Sequence, residues 1–122
     1  MDDLENLLPF TSQPDDWYQD TRWKHRAAQE RIQIARHQFE TALTAIRQCD
    51  CRRASRLLVV VQNSLDEDDL TRDEWLEIYV AQMICYAWLG DKEAIHSAWE
   101  KARALEPDRV KLQEVGVRLG LL

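Results

Sequence analysis

Residues 79–107 read YVAQMICYAWLGDKEAIHSAWEKARALEP, and two breakers inside it, Gly90 and Pro107, decide how the stretch folds. A glycine directly after an apolar run accepts the left-handed backbone that closes a helix. Pro107 stops the helix that follows. Between the breakers, Ala94, Ala98 and Ala102 recur four apart, flanked by Ile95, Trp99 and Leu105. This spacing predicts a helix over about 91–104 that offers a stripe of small residues to a close neighbour. Before the glycine, Trp75, Tyr79, Gln82, Tyr86 and Leu89 step by 4,3,4,3, and Leu76, Val80, Met83 and Ala87 form a second stripe at the same spacing. A helix with two such stripes is touched on most sides and sits centrally. Its start is marked by Thr71 and Glu74, the spacing of a capping box, so it spans about 72–89.

Outward from this pair, the same signals continue. Ala28, Ile32, Ala35, Phe39, Ala42, Ile46 and Cys49 make one unbroken stripe, predicting a helix over about 21–48. Asp50 caps a helix over about 51–64 whose buried face is Ala54, Leu57, Leu58, Val61 and Leu65. The run Val59-Val60-Val61 has strand propensity, but it is led in by helical sequence and has no strand partner in view. Asp66 to Asp69 form an acidic loop. After Pro107, Asp108 caps a fifth helix, about 109–119, with Leu112, Val115 and Leu119 on one face. Residues 15–106 hold a single glycine and no proline. A β protein needs turn residues more often. The expected fold class is all-α, with about five helices.

Length, charge and cysteines bound the rest. The chain has 122 residues, enough for one domain with its own core. Residues 1–21 carry six acids and no Lys or Arg, yet include Leu4, Leu7, Leu8, Phe10, Trp17 and Tyr18. They are expected to form an acidic, apolar-containing tail, with a short helix at about 2–8. A helical domain is expected from residue 22 onward. Residues 22–56 are basic, with nine Lys and Arg, and residues 57–100 are acidic again. No apolar run is long enough to span a bilayer, and the acidic N-terminus is unlike a secretory signal, so the expected location is the cytoplasm and no membrane partner is expected. Cys49, Cys51 and Cys85 are odd in number, which fits free thiols in a reducing compartment. No second Cys or His pair stands at ligand spacing for zinc. No metal or cofactor is expected.

Residues 79–107 resemble a tetratricopeptide repeat, a pair of antiparallel helices. The resemblance rests on Tyr79, Tyr86, the Gly90-Asp91 turn, Ala94, Trp99, Ala102 and the closing Pro107. Gln82 and Met83 depart from it, standing where Leu and Gly are usual, and Ile95 occupies the usual alanine site. Residues 35–65 look like a weaker copy, with Cys49-Asp50 as the turn. The turns are 41 residues apart, against a usual repeat of about 34. The surplus fits the acidic loop and a longer third helix. The resemblance implies a TPR-like right-handed superhelix: repeat one at about 28–65, repeat two at about 72–107, and a capping helix at 108–120.

In such a stack the first helix of each pair lines a concave groove. The resemblance then implies that Arg36, Phe39, Leu43 and Arg47 face it from repeat one, and Glu77, Val80, Ile84 and Trp88 from repeat two. Phe39, Val80 and Ile84 could equally be core. As a groove, this surface would suit an acidic, amphipathic peptide or helix of a partner protein, and the implied roles are adaptor, scaffold, assembly factor or chaperone. The chain's own residues 2–18 have that composition, so docking of the tail on its own groove or on a second copy is also expected as a self-association mode. No enzyme is expected: there is no Gly-rich phosphate loop, no HExxH and no Gly-x-Ser-x-Gly. His37 with Glu40, and His96 with Glu100, read as surface pairs. The alternative is a nucleic-acid-associated regulator using the basic band at 22–56, around Trp23 and Arg52, Arg53 and Arg56. The net charge of −6 opposes it.

Overall fold

The computed structural model describes residues 14–122, with side chains from residue 22 onward. The short helix expected at 2–8, and any docking of Leu4, Leu7, Leu8 and Phe10, lie outside the described residues. Five α-helices succeed one another: α1 (Pro14–Arg47), α2 (Cys51–Ser64), α3 (Arg72–Leu89), α4 (Lys92–Leu105) and α5 (Arg109–Arg118). One 3-10 turn, Glu67–Asp69, joins α2 to α3. No strand occurs among the described residues, so the fold is all-α. The Val59–Val61 run lies inside α2, with Val61 buried and Val59 and Val60 on the surface.

The caps read from the sequence set three of the helix starts, at Asp50, Thr71 and Asp108, and Asp91 caps a fourth. Asp50 accepts from the Arg53 N–H, Asp91 from Ala94, and Asp108 from Val110. Thr71 and Glu74 make the reciprocal capping box at the start of α3. The first helix differs from expectation: it begins at Pro14, not near 21. Proline is tolerated in the first turn of a helix, where its missing N–H would have no intrahelical partner.

The chain divides into two units, one ending at Arg31 and one spanning Ile32–Leu122. In the first, Trp23 is 67% exposed. The second holds the core. There α3 packs against α2, α4 and α5. Ala42, Leu43 and Ile46 of α1 share one buried cluster with Ala54 and Leu58 of α2, Val80, Ala81 and Cys85 of α3, and Leu112 and Val115 of α5. A second cluster, at the other end of α2, gathers Ala35, Val61, Leu65, Trp75 and Ile78. Ala98 and Ala102 of α4 are buried, as their spacing requires. The start of α3 lies beside the end of α4, because Arg72 Nε donates to the Leu105 carbonyl at 2.7 Å and its guanidinium pairs with Glu106 at 2.9 Å. Those two helices are therefore antiparallel.

Alternate helices end alike. After α1, α3 and α5 the chain passes through a left-handed residue: Cys49 (φ 64), Gly90 (φ 72) and Gly120 (φ 74). Each turn carries the same two hydrogen bonds. Cys49 and Asp50 donate to Ile46 and Ala45, Gly90 and Asp91 to Ala87 and Tyr86, Gly120 and Leu121 to Val117 and Gly116. This is the Schellman arrangement, which satisfies the last carbonyls of a helix. Helices α2 and α4 instead run out through extended residues, Leu65 and Glu106.

Cys49 is the one non-glycine residue with positive φ among those described. An L side chain there costs about 1–2 kcal/mol that glycine avoids, offset in part by glycine's greater freedom when unfolded. Cys49→Gly is expected to raise stability by about 0.5–1 kcal/mol, read from the urea midpoint at unchanged m-value. A lower midpoint would mean that the thiol does more for the fold than its exposed position indicates.

Candidate partner-binding face

The eight residues implied by the resemblance fall into different environments. Leu43 and Val80 are core, at 3% exposure each. Arg47, Glu77 and Ile84 contact the C-terminal segment. Arg47 donates to the Leu119 carbonyl, Glu77 pairs with Arg118 at 3.1 Å, and Ile84 lies against the Gly116–Leu122 contact. Arg36 and Phe39 border an open hollow. Trp88 does not line that hollow and is 71% exposed on the last turn of α3. Helix α5 thus lies along much of the face on which α1 and α3 were expected to form a groove, and what stays open is the end nearer Phe39.

That open end is a small apolar pocket. Its floor is Ala35, Phe39, Val61, Leu65, Leu70 and Ile78, and its rim is Arg36, Glu74 and Glu77. Phe39 packs against both core clusters, so the floor is continuous with the core. The rim is tied across helices. Arg36 of α1 reaches Glu74 of α3, Nε to Oε2 at 3.1 Å and Nη2 to Oε2 at 2.9 Å. The Arg36 side chain remains 55% exposed, leaving outward N–H groups for a partner. Leu70 belongs here because it immediately precedes the capping box, which fixes the direction in which the loop enters α3. Glu74, Leu70, Ile78 and Ala35 were not assigned to the face from the sequence. The usable signal was Ala35 in the α1 stripe, and Glu74 in the capping box.

Glu74 serves two structures at once. Burial works to raise its carboxyl, but the Thr71 N–H and the Arg36 guanidinium outweigh this and hold it below its ordinary value. The basic residues Arg52, Arg53 and Arg56 are exposed in the first two turns of α2, which has no acid in its first turn. His96 and Glu100 pair on the surface at 3.8 Å. Cys51 and Cys85 are buried free thiols, and burial pushes the Cys85 thiol up to about 12. A thiol so placed is a poor nucleophile. Among the described residues no group of three His, Cys, Asp or Glu side chains gathers as a metal site, and no helix is long and apolar enough to cross a membrane.

No protein-family model, no curated protein and no solved structure matches this chain.

Because the Glu74 carboxyl is depressed when folded, its contribution is present above its unfolded value near 4.5 and is lost as pH falls through the lower folded value. Thr71→Ala is expected to cost about 1 kcal/mol at neutral pH. Glu74→Gln is expected to cost less at neutral pH and to flatten the loss of stability on acidification below pH 4.5. Chemical denaturation of both variants across pH 3–7 checks this. An unchanged acid slope in Glu74→Gln would show that other carboxylates carry the effect.

Proposed function

We propose that this chain is a protein-binding module of tetratricopeptide-like helix pairs, and that it holds a short amphipathic segment of a partner at the open end of the α1–α3 face. The observation that carries the reading is the apolar pocket around Phe39 and Leu70, rimmed by charged groups that reach across two helices. A pocket with an apolar floor and a few polar groups at its edge binds one anchoring side chain and orients the neighbouring residues of the bound segment.

The helix-pair reading is supported by the recurrence of one turn. Cys49-Asp50 and Gly90-Asp91 share the left-handed residue, both Schellman hydrogen bonds and an aspartate that caps the next helix. With the two turns aligned, Arg36, Phe39, Leu43 and Arg47 correspond to Glu77, Val80, Ile84 and Trp88. Helix pairs repeated in this way stack into extended scaffolds, and adaptor, assembly-factor and chaperone roles all use such surfaces.

The partner is amphipathic, with an apolar residue for the pocket. The rim adjusts the expectation of an acidic partner. Arg47 is engaged by the Leu119 carbonyl and Arg118 by Glu77, so attraction for a carboxylate rests on the outward N–H groups of Arg36. Glu74 and Glu77 stand beside it and favour a basic residue nearby. Residues 2–18 of the chain itself remain a competing occupant.

The test is retention of proteins from the source cell on the full chain, compared with Leu70→Ser and Arg36→Glu, each first shown to be folded. A specific partner held by the native chain is expected to drop at least tenfold with either variant, a change of about 1.4 kcal/mol or more. Equal retention of every captured protein by all three forms would overturn the assignment of this pocket.

A further inference from the structure

Helices α2 and α4 both pack on α3 but scarcely on each other, and Tyr79 and Tyr86 of α3 are partly exposed in the trough between them. Two adjoining hollows run along this trough and share Gln62 and Asn63 of α2. Trp75 and Tyr79 lie in one, Gln82 and Tyr86 in the other. These are four residues of the stripe that steps by 4,3,4,3 along α3. The α4 wall is made of small residues, Ala94, Ser97 and Ala98, with Lys101 beyond them. Glu67 stands at the Trp75 end. The Trp75 indole is not free: its N–H donates to the Glu67 carbonyl at 3.0 Å, which braces the ring against the loop.

Gln82 is the polar residue that burial does not explain. It is 2% exposed, in a stretch of α3 otherwise filled by apolar side chains. Its Nε2 donates to Gln62 Oε1 at 2.9 Å. Its own Oε1, and the Nε2 of Gln62, have no hydrogen-bond partner among the described residues. Buried polar groups are nearly always satisfied, so an open acceptor on a buried amide that lines a hollow points to a ligand. The two amides together present one unused acceptor and one unused donor set. A peptide group offers the complement, one N–H and one C=O.

We propose that the trough between α2 and α4 binds an extended peptide segment of another protein, with one peptide group seated on the Gln62–Gln82 amide pair. The occupant is extended because a helical segment has already spent its backbone hydrogen bonds internally. From Trp75 to Tyr86 the trough follows eleven residues of α3, about 16 Å at 1.5 Å per residue. An extended chain of about five residues covers that length. Side chains of the segment lie against Tyr79, which stacks on Trp75 at 5.9 Å, and against Tyr86. A Lys or Arg at the Glu67 end completes the charge match. Nucleic acid fits less well, since Glu67 would face its phosphates.

This trough shares no lining residue with the α1–α3 pocket, so the two sites are tested by different variants. The experiment is binding of the full chain to a positional array of N-acetylated, C-amidated pentapeptides, followed by solution titration of the best binder up to millimolar concentration. Gln62→Leu, Gln82→Leu and adenosine monophosphate are the comparisons. The expected result is a sequence-dependent set of pentapeptides with a basic residue at one end, weakened at least tenfold by either substitution. Gln82→Leu is also expected to melt no lower than the native chain, because it removes a buried amide with an open acceptor. Three results would overturn the proposal: no pentapeptide bound by the native chain, binding that both substitutions leave intact, or a marked fall in the melting midpoint of Gln82→Leu. Binding of adenosine monophosphate that the substitutions abolish, without peptide binding, would equally overturn it in favour of a nucleobase site.

Discussion

Helix α3 packs against α2, α4 and α5 at once, and the lining of both hollows is placed by its register. One edge of it supplies Glu74, Glu77 and Ile78 to the pocket beside α1. A second stripe, about a third of a turn round the helix, supplies Trp75, Tyr79, Gln82 and Tyr86 to the trough between α2 and α4. The register is pinned at both ends. At the start stand the Thr71–Glu74 capping box and the hold of Arg72 on the end of α4. At the finish stands the left-handed turn at Gly90. A slip of one residue on α3 turns every side chain by about 100°, which would exchange core residues for site residues on both faces.

Helices α1, α3 and α5 each end in a left-handed residue, Cys49, Gly90 and Gly120. Helix α5 packs on α3 with Leu112 and Val115 inward. Its C-terminal end ties Arg118 to Glu77 and places the Leu119 carbonyl on Arg47. The same packing that completes the core brings the C-terminal segment onto part of the face where a groove was expected, and the pocket at Phe39 lies beyond it.

The helix boundaries from Cys51 to Arg118 were legible because each is written in local chemistry. Asp50, Thr71 and Asp108 are caps whose effect needs no distant partner, and Gly90 and Pro107 are stops of the same kind. The start of α1 was not legible, because Pro14 reads as a breaker unless the helix is known to begin at it. The candidate face was half legible. Phe39 follows from the helical spacing of the α1 stripe and Arg36 from the resemblance alone, but the contacts that the C-terminal segment makes with Arg47, Glu77 and Ile84 depend on the direction the chain takes at Glu106–Asp108, which no single residue encodes. Gln82 was visible only as a departure from a repeat pattern. A glutamine inside an otherwise apolar stripe was the signal, and its meaning appeared once Gln62 was seen to approach it from another helix.

Native-state hydrogen exchange is the most direct measurement of whether α3 has this central place. Backbone amides of α3 between Trp75 and Cys85 are expected to be the slowest in the chain, exchanging only with global unfolding. Amides of the Glu67–Asp69 turn and the last turn of α5 are expected to exchange through smaller openings. If α3 exchanged as fast as that turn, it would not be the shared wall of the pocket and the trough, and both sites would lose their physical basis.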